Sequence, residues 1–190
     1  MLRKLVIPFS KQTRGAWLEG YTHSEWGSGH AGHREKIRTA LEHQLTTNWS
    51  KDVSYSEFAA LKDLDQIPTF KKIYVSISHG QDLGGFVIAK KPVGFDLELR
   101  DRVMEKIVRR VSTDEEVQEA PSFAHLWAAK EATFKALRSY RQPNIASELI
   151  LGEWQNEHFH LKNENRFQAP HGFGTTWVDG SYIFAVFLFL

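Results

Sequence analysis

Hydrophobic and polar residues alternate most regularly at the centre of the chain. From Val93 to Leu99 every second residue is apolar, and Asp96 and Glu98 lie between the apolar positions. A period of two predicts a β-strand with one buried face. Similar alternation predicts a strand at residues 71–80 and a returning strand at residues 86–89. We expect these three strands to form an antiparallel meander.

Further strands are predicted near both ends of the chain. Residues 2–9 form a short apolar segment, and residues 152–161 and 172–187 alternate as the central strands do. Residues 182–190 are strongly apolar, so we expect a buried terminal strand that closes a sheet. By contrast, residues 15–32 contain several glycines and histidines and are predicted to form a loop.

Apolar residues recur at helical spacing elsewhere. Residues 33–49 are predicted to form a helix whose inner face carries Ile37, Leu41 and Leu45. Residues 100–111 predict an amphipathic helix, and residues 58–64 a short helical turn. The inward-facing residues of the amphipathic helix are Val103, Ile107 and Val111. Because strands and helices are mixed along the chain, we expect an α+β fold.

A further helix is predicted to begin after Ser122, a residue type that favours the N-cap position. The segment 123–137 is rich in alanine and contains neither glycine nor proline. Its residues are small or apolar on almost every side, which is typical of a buried helix. Nevertheless, three charged residues, Lys130, Glu131 and Lys135, lie near its centre. Charged side chains are rarely buried unless they are paired or bind a ligand.

These charges have two interpretations. Glu131 and Lys135 are four residues apart and could form an ordinary ion pair on the helix surface, but that leaves Lys130 unexplained. Asp96 and Glu98 point to the same side of their strand, with Cα atoms roughly 6.6 to 7 Å apart. They either belong to a solvated sheet face or hold a divalent cation. With Glu131 as a third oxygen ligand, the sequence favours a Mg²⁺ site.

Composition limits the kinds of function that remain. The chain has 190 residues, 42% of them hydrophobic and 25% charged, enough for one domain or two small lobes. A formal net charge of +1 argues against a protein that mainly binds nucleic acid. There is no cysteine, and the apolar run at the N-terminus is too short for a signal peptide. The apolar C-terminal run is shorter than the roughly 20 residues of a membrane span. We therefore expect a cytoplasmic protein.

Three motifs together resemble the 4′-phosphopantetheinyl transferases. They are Ser78-His79, the strand motif Gly94-x-Asp96-x-Glu98, and the helix motif Trp127-x-x-Lys130-Glu131-Ala132-x-x-Lys135. Their order and spacing are similar to those of the larger, surfactin-type branch rather than the small trimeric acyl-carrier-protein synthases. The resemblance implies a pseudo-twofold fold of two similar lobes, each with a small antiparallel sheet packed on a long helix. We expect the lobes at residues 1–92 and 93–190, in a monomer.

The resemblance also implies an activity. Such enzymes transfer 4′-phosphopantetheine from coenzyme A to a serine of an apo acyl or peptidyl carrier protein and release adenosine 3′,5′-bisphosphate. Asp96, Glu98 and Glu131 would hold Mg²⁺, or Mn²⁺, against the pyrophosphate, and Glu131 would accept the serine proton. The implied phosphate contacts are Lys130, Lys135, Ser78 and His79, with Arg34 and Lys36 as candidates from the first lobe.

Some alternatives remain open. His79 beside Gly80 could simply cap a turn. The basic stripe on the 100–111 helix is either a solvated face or a docking surface for an acidic carrier protein; it consists of Arg102, Lys106, Arg109 and Arg110. Another Mg²⁺-dependent phosphotransfer or phosphohydrolase enzyme would use the same carboxylates and lysines. A non-catalytic module that binds carrier proteins or nucleotides is the third possibility.

Overall fold

Two antiparallel sheets form the centre of the fold in a computed structural model that describes residues 2–8 and 18–190. The strands are Arg3–Lys4 (β1), Leu18–His23 (β2), Tyr74–His79 (β3), Gly84–Ala89 (β4), Val93–Leu99 (β5), Leu151–Gln155 (β6), His158–Leu161 (β7), Gly172–Asp179 (β8) and Tyr182–Phe189 (β9). The α-helices are His33–Asn48 (α1), Glu105–Val111 (α2), Asp114–Glu119 (α3) and Phe123–Ala136 (α4). Short 3₁₀ segments are Ser24–Trp26, Tyr55–Leu61, Arg100–Arg102, Leu137–Ser139, Ala146–Glu148 and Glu164–Phe167.

The first sheet has the strand order β1-β2-β4-β3 and packs on α1. Helix α1 turns its apolar side toward this sheet, where Ile37, Leu41 and Leu45 are almost completely buried. They contact Phe86 and Ile88 of β4 within one hydrophobic cluster. The helix predicted at residues 33–49 is therefore confirmed, because its apolar spacing matches a face that a sheet covers.

The second sheet has the order β5-β9-β8-β7-β6 and packs on α4. Strand β9 pairs with β5 on one side and β8 on the other, so the predicted terminal strand is confirmed. Helix α4 begins at Ser122, whose hydroxyl accepts the His125 amide as predicted for an N-cap. A third hydrophobic cluster, which includes Phe95, Val87 and Val186, lies between the two sheets. The fold is thus α+β with two lobes, as expected, and the division between residues 92 and 93 stays a prediction.

The predicted meander is wrong in one respect. Strands β3 and β4 form the expected hairpin, but β5 leaves their sheet and pairs with β9 along its whole length, from Val93–Leu188 to Leu99–Tyr182. Strands β3 and β5 still lie side by side, since the Phe95 amide donates to the Ser76 hydroxyl at 2.9 Å. Alternation along a strand predicts its buried face but not its pairing partner, and the apolar C-terminal strand supplied a longer ladder.

Other predicted elements were misplaced. Residues 15–32, predicted as a loop, contain β2; residues 15–17 lie outside the described part of the chain. In the 2–9 segment only Arg3–Lys4 pairs with another strand, and Phe9 is not described. The helix predicted at residues 100–111 begins only at Glu105. Its buried residue is Val108, whereas Ile107 is 37% exposed. No helix in the described ranges is long and apolar enough to cross a bilayer.

Helix α4 lies directly against β5 at Gly94. A Cβ atom on Gly94 would come within 1.7 Å of the Ala132 carbonyl oxygen and 2.6 Å of the Ala136 nitrogen. Both atoms belong to the helix backbone, which cannot rotate away as a side chain could. The glycine therefore allows the helix to approach the strand closely, and this places α4 beside Asp96 and Glu98 on the same face of β5.

This contact predicts a large destabilisation by the substitution Gly94→Ala. The added methyl group must push α4 away from β5, and overpacking of this kind costs about 1–3 kcal/mol or more. Urea unfolding of the two proteins measures the loss. Gly80→Ala is the matched control, because its new Cβ would meet nothing closer than 3.4 Å. Equal stability of the Gly94→Ala and Gly80→Ala proteins would contradict the packing described here.

Candidate active site between the lobes

A pocket of about 370 Å³ lies between the two lobes. Helix α1 contributes Arg34 and Arg38, and the end of β3 contributes Ser78 and His79. The opposite wall comes from β5 and α4. Its charged residues are Asp96, Glu98, Glu131 and Lys135. The pocket therefore brings together the three carboxylates predicted from the two separate motifs, and it also contains basic side chains.

Asp96 is the most buried carboxylate of the pocket, with 3% of its surface exposed. Its Oδ1 accepts hydrogen bonds from Lys135 Nζ at 2.6 Å and from Ser78 Oγ at 2.7 Å. Lys135 Nζ also contacts the Phe95 carbonyl at 3.2 Å. The other oxygen, Asp96 Oδ2, is buried without a hydrogen-bond partner. Because buried carboxylate oxygens are normally satisfied, this atom has the capacity to bind a ligand in the pocket.

The other two carboxylates are harder to ionise than usual. Burial, followed by the negative charge of Asp96, raises the pKa of Glu98 from 4.5 to about 7. The indole N–H of Trp127 donates to Glu98 Oε1 at 3.0 Å and partly offsets this effect. Burial and Asp96 also raise the pKa of Glu131. Shifts in this direction show that the carboxylates share one region of low dielectric and interact with each other.

The donor set fits Mg²⁺, which prefers carboxylate oxygens and would offset the mutual repulsion of these groups. The fit rests on Asp96 Oδ2, the partnerless buried oxygen, and on the raised pKa values of Glu98 and Glu131. Among the described residues, however, no three His, Cys, Asp or Glu side chains already surround one point as metal ligands. Lys135 instead provides the positive charge that Asp96 requires.

The first lobe contributes the basic side chains Arg34, Arg38 and His79 to the pocket. Arg38 is only 8% exposed; its Nη2 donates to the Gln66 carbonyl at 2.6 Å, but its Nη1 is buried without a partner. Burial, followed by the neighbouring Arg34, lowers the pKa of Arg38. The ring of His79 lies 4.7 Å from that of His33, and burial against its surroundings lowers the pKa of His79. These groups could bind an anion, since an unpaired buried guanidinium is costly until an anion reaches it.

Two predicted phosphate ligands are not in this pocket. Lys130 is fully buried on another side of α4, where its Nζ contacts Glu116 Oε1 at 2.8 Å and the Leu149 carbonyl at 2.7 Å. Lys36 points away from the pocket and pairs with Glu25 at 3.2 Å on the surface. The structure therefore corrects both assignments: adjacent helix positions are about 100° apart, so residues next to a site residue face elsewhere.

Sequence reasoning missed Arg38. The signal was present, because Arg38 lies four residues after Arg34 and among the apolar positions Ile37 and Leu41. A charged residue on the buried side of an amphipathic helix suggests a ligand or a partner. Ser78 also differs from expectation, since its hydroxyl donates to Asp96. Arg34 lines the pocket, where its guanidinium pairs with Asp65, and its predicted contact with a phosphate stays a prediction.

The sequence model of the 4′-phosphopantetheinyl transferase superfamily matches residues 92–186. This match covers half of the chain and includes β5, α4 and the three carboxylates. The chain therefore belongs to the 4′-phosphopantetheinyl transferase superfamily, a class of transferases that acts on carrier proteins with coenzyme A. No curated protein matches this chain.

The raised pKa of Glu98 predicts how stability depends on pH. Because Glu98 binds its proton more tightly in the folded protein, its contribution is complete below pH 4.5 and is lost as the pH rises through about 7. The free energy of unfolding, measured from about pH 5 to about pH 8 with a chelator present, should therefore fall in wild type relative to Glu98→Gln. The glutamine variant carries no titrating group there. A constant difference between the two proteins across this range would refute the assigned pKa shift.

Proposed function

We propose that this protein transfers 4′-phosphopantetheine from coenzyme A to a serine hydroxyl of an apo carrier protein and releases adenosine 3′,5′-bisphosphate. The observation that carries the proposal is the pocket itself, which three carboxylates and Lys135 line together with Arg34, Arg38 and His79. Coenzyme A carries a pyrophosphate and a separate 3′-phosphate, so it requires both a cation held by carboxylates and basic side chains. We also propose that the reaction takes place in the cytoplasm.

The carboxylates Asp96, Glu98 and Glu131 would hold Mg²⁺, or Mn²⁺ in its place. A cation there supplies Lewis acidity toward phosphate oxygens. Lys135 now neutralises Asp96 from a position at the edge of the pocket. When coenzyme A binds, the ammonium group of Lys135 would be available to the pyrophosphate and would stabilise the negative charge on the leaving group. Phosphoryl-group transfer depends mainly on such positioning and charge stabilisation.

Glu131 is the group that would remove the proton from the attacking serine. The serine oxygen forms a bond to the phosphorus next to pantetheine, the bond to adenosine 3′,5′-bisphosphate breaks, and the hydroxyl proton passes to Glu131. A general base works best when its pKa is close to the working pH. Burial and Asp96 raise the pKa of Glu131 in the metal-free pocket, and a cation bound to the carboxylate would lower this pKa again.

Activity can be tested by intact-mass spectrometry of an apo carrier protein incubated with coenzyme A and Mg²⁺. We expect a mass gain of one phosphopantetheine group with wild type, and a loss of rate of at least about 100-fold with Glu131→Gln or Asp96→Asn. Lys36→Gln, which changes a surface ion pair, is the control and should retain full activity. Release of inorganic phosphate without any carrier mass gain would favour a phosphohydrolase instead.

The basic side chains Arg34 and Arg38 would bind the 3′-phosphate. Arg38→Gln and Arg34→Gln should then weaken coenzyme A binding by about 10-fold or more, because a hydrogen bond to a charged group is worth about 1.5–3 kcal/mol. The same variants should bind 3′-dephospho-coenzyme A as wild type does. Isothermal titration calorimetry with both nucleotides measures the difference. If Arg38→Gln weakened the binding of both nucleotides equally, the 3′-phosphate would not lie beside Arg38.

Docking of the carrier protein is proposed on the basic stripe Arg102, Lys106, Arg109 and Arg110. Arg109 is held by Glu105 at 2.7 Å and its guanidinium lies over the ring of Phe123. The exposed side chains of Met104 and Ile107 lie on the same segment. This surface offers positive charge around an apolar centre, which suits an acidic partner helix.

Charge reversal tests the docking surface. Arg102→Glu combined with Arg109→Glu should raise the KM for the carrier protein by about 10-fold at low salt and less at high salt, because surface charges are screened. The KM for coenzyme A should not change. Lys51→Glu, an exposed lysine on the first lobe, serves as the control. Unchanged kinetics in the double variant would exclude docking at this stripe.

A further inference from the structure

Lys130 is a charged residue for which the proposed reaction has no use. Its side chain is completely enclosed, and that of its partner Glu116 is 2% exposed. Lys130 Nζ also donates to the Leu149 carbonyl just before β6. Glu116 Oε1 accepts the Leu151 amide at 2.8 Å, and Glu116 Oε2 accepts the Thr113 amide at 2.8 Å. One ion pair thus joins α4 to the start of α3 and to the edge of the second sheet.

Stability alone is a poor explanation for this pair. Removing two charges from water costs several kcal/mol per ion, and replacement by apolar residues of similar size is often neutral or stabilising. An ion pair differs from an apolar contact because its hydrogen bonds have a preferred geometry and therefore fix the position of both charged groups.

The position of Lys130 on α4 suggests that the pair fixes the rotation of this helix about its axis. Lys130 directly precedes Glu131, and the two side chains leave the helix about 100° apart. Elsewhere the helix backbone rests on Gly94 of β5, which sets its distance from the strand. Rotation of the helix about its own axis is resisted beside the pocket by the hydrogen bonds from Lys135 to Asp96 and from Trp127 to Glu98. On another side of the helix, the bonds from Lys130 to Glu116 and Leu149 resist the same rotation.

Small rotations would matter at the active site. A side chain of a helix extends about 5–6 Å from the axis. A rotation of about 10° therefore moves the Glu131 carboxylate by about 1 Å, a misplacement that can reduce a rate by about 100-fold. We propose that Lys130 and Glu116 form a positioning pair that fixes the rotation of α4 and so directs Glu131 toward Asp96 and Glu98. The catalytic part of this inference rests on the proposed transferase function.

The test removes both charges together, since removal of one would leave the other buried and unpaired. Lys130→Met/Glu116→Gln keeps the side-chain volumes and leaves an acceptor for the Leu151 amide. The matched control is Lys162→Met/Glu115→Gln, which removes an exposed pair of the same two residue types at 3.0 Å; Glu115 lies on α3 as Glu116 does, and Lys162 directly follows β7. Lys130→Gln/Glu116→Gln is made as a second charge-free variant, because glutamine at position 130 retains a hydrogen-bond donor for the Leu149 carbonyl.

Two measurements separate positioning from stability. The first is the split between kcat and the KM for coenzyme A, determined with protein shown to be folded by circular dichroism. The second is the indole N–H resonance of Trp127 in ¹⁵N-tryptophan-labelled protein, assigned with Trp127→Phe. This N–H bonds to Glu98 across the gap between α4 and β5, so it reports helix rotation without any need for activity.

For the double variant we expect kcat to fall by about 100-fold, the KM for coenzyme A to change by less than about threefold, and the Trp127 N–H resonance to shift upfield. The control should match wild type in all three. A folded double variant with wild-type kcat and an unmoved resonance would overturn the inference. So would failure of both Glu116 variants to fold, because the pair would then serve stability. If wild type has no transferase activity but the resonance still moves, the proposed function fails and the positioning role remains.

Discussion

Repulsion between three carboxylates is the constraint on which this structure depends. Asp96, Glu98 and Glu131 line one pocket, and burial together with the charge of Asp96 raises the pKa of Glu98 and of Glu131. Several features of the fold either offset this repulsion or keep the groups together in spite of it. Lys135 bonds to Asp96, the Trp127 indole bonds to Glu98, and the absence of a side chain at Gly94 lets α4 approach β5.

The two lobes contribute opposite charges to the same pocket. The second lobe supplies the carboxylates from β5 and α4, whereas the first supplies Arg34 and Arg38 from α1 and His79 from β3. Strands β3 and β5 meet between them, joined by the bond from the Phe95 amide to Ser76. The relative position of the lobes therefore sets the distance between the carboxylates and the basic side chains of the first lobe.

The sequence predicted that the three carboxylates lie close together, because the patterns that indicate this are local ones. Alternation on β5 places Asp96 and Glu98 on one face, and the apolar surroundings of Glu131 mark its helix as buried. The basic side chains could not be predicted as well. Whether Arg38 or Lys36 reaches the pocket depends on how α1 is rotated against a sheet formed by distant strands. The same reason applies to Lys130: the Thr113-x-x-Glu116 capping box marks the start of α3 in the sequence, but nothing local shows that Glu116 pairs with Lys130 of α4. Strand pairing between β5 and β9 likewise joins segments far apart in the chain, so alternation alone pointed to the wrong neighbour.

Anomalous X-ray diffraction from crystals grown with Mn²⁺ and coenzyme A tests the proposed metal site most directly. We predict a single Mn²⁺ peak in contact with oxygens of Asp96, Glu98 and Glu131, with Lys135 Nζ moved from Asp96 toward the pyrophosphate. A nucleotide bound in the pocket without a cation at these carboxylates, or a cation bound elsewhere, would contradict this prediction.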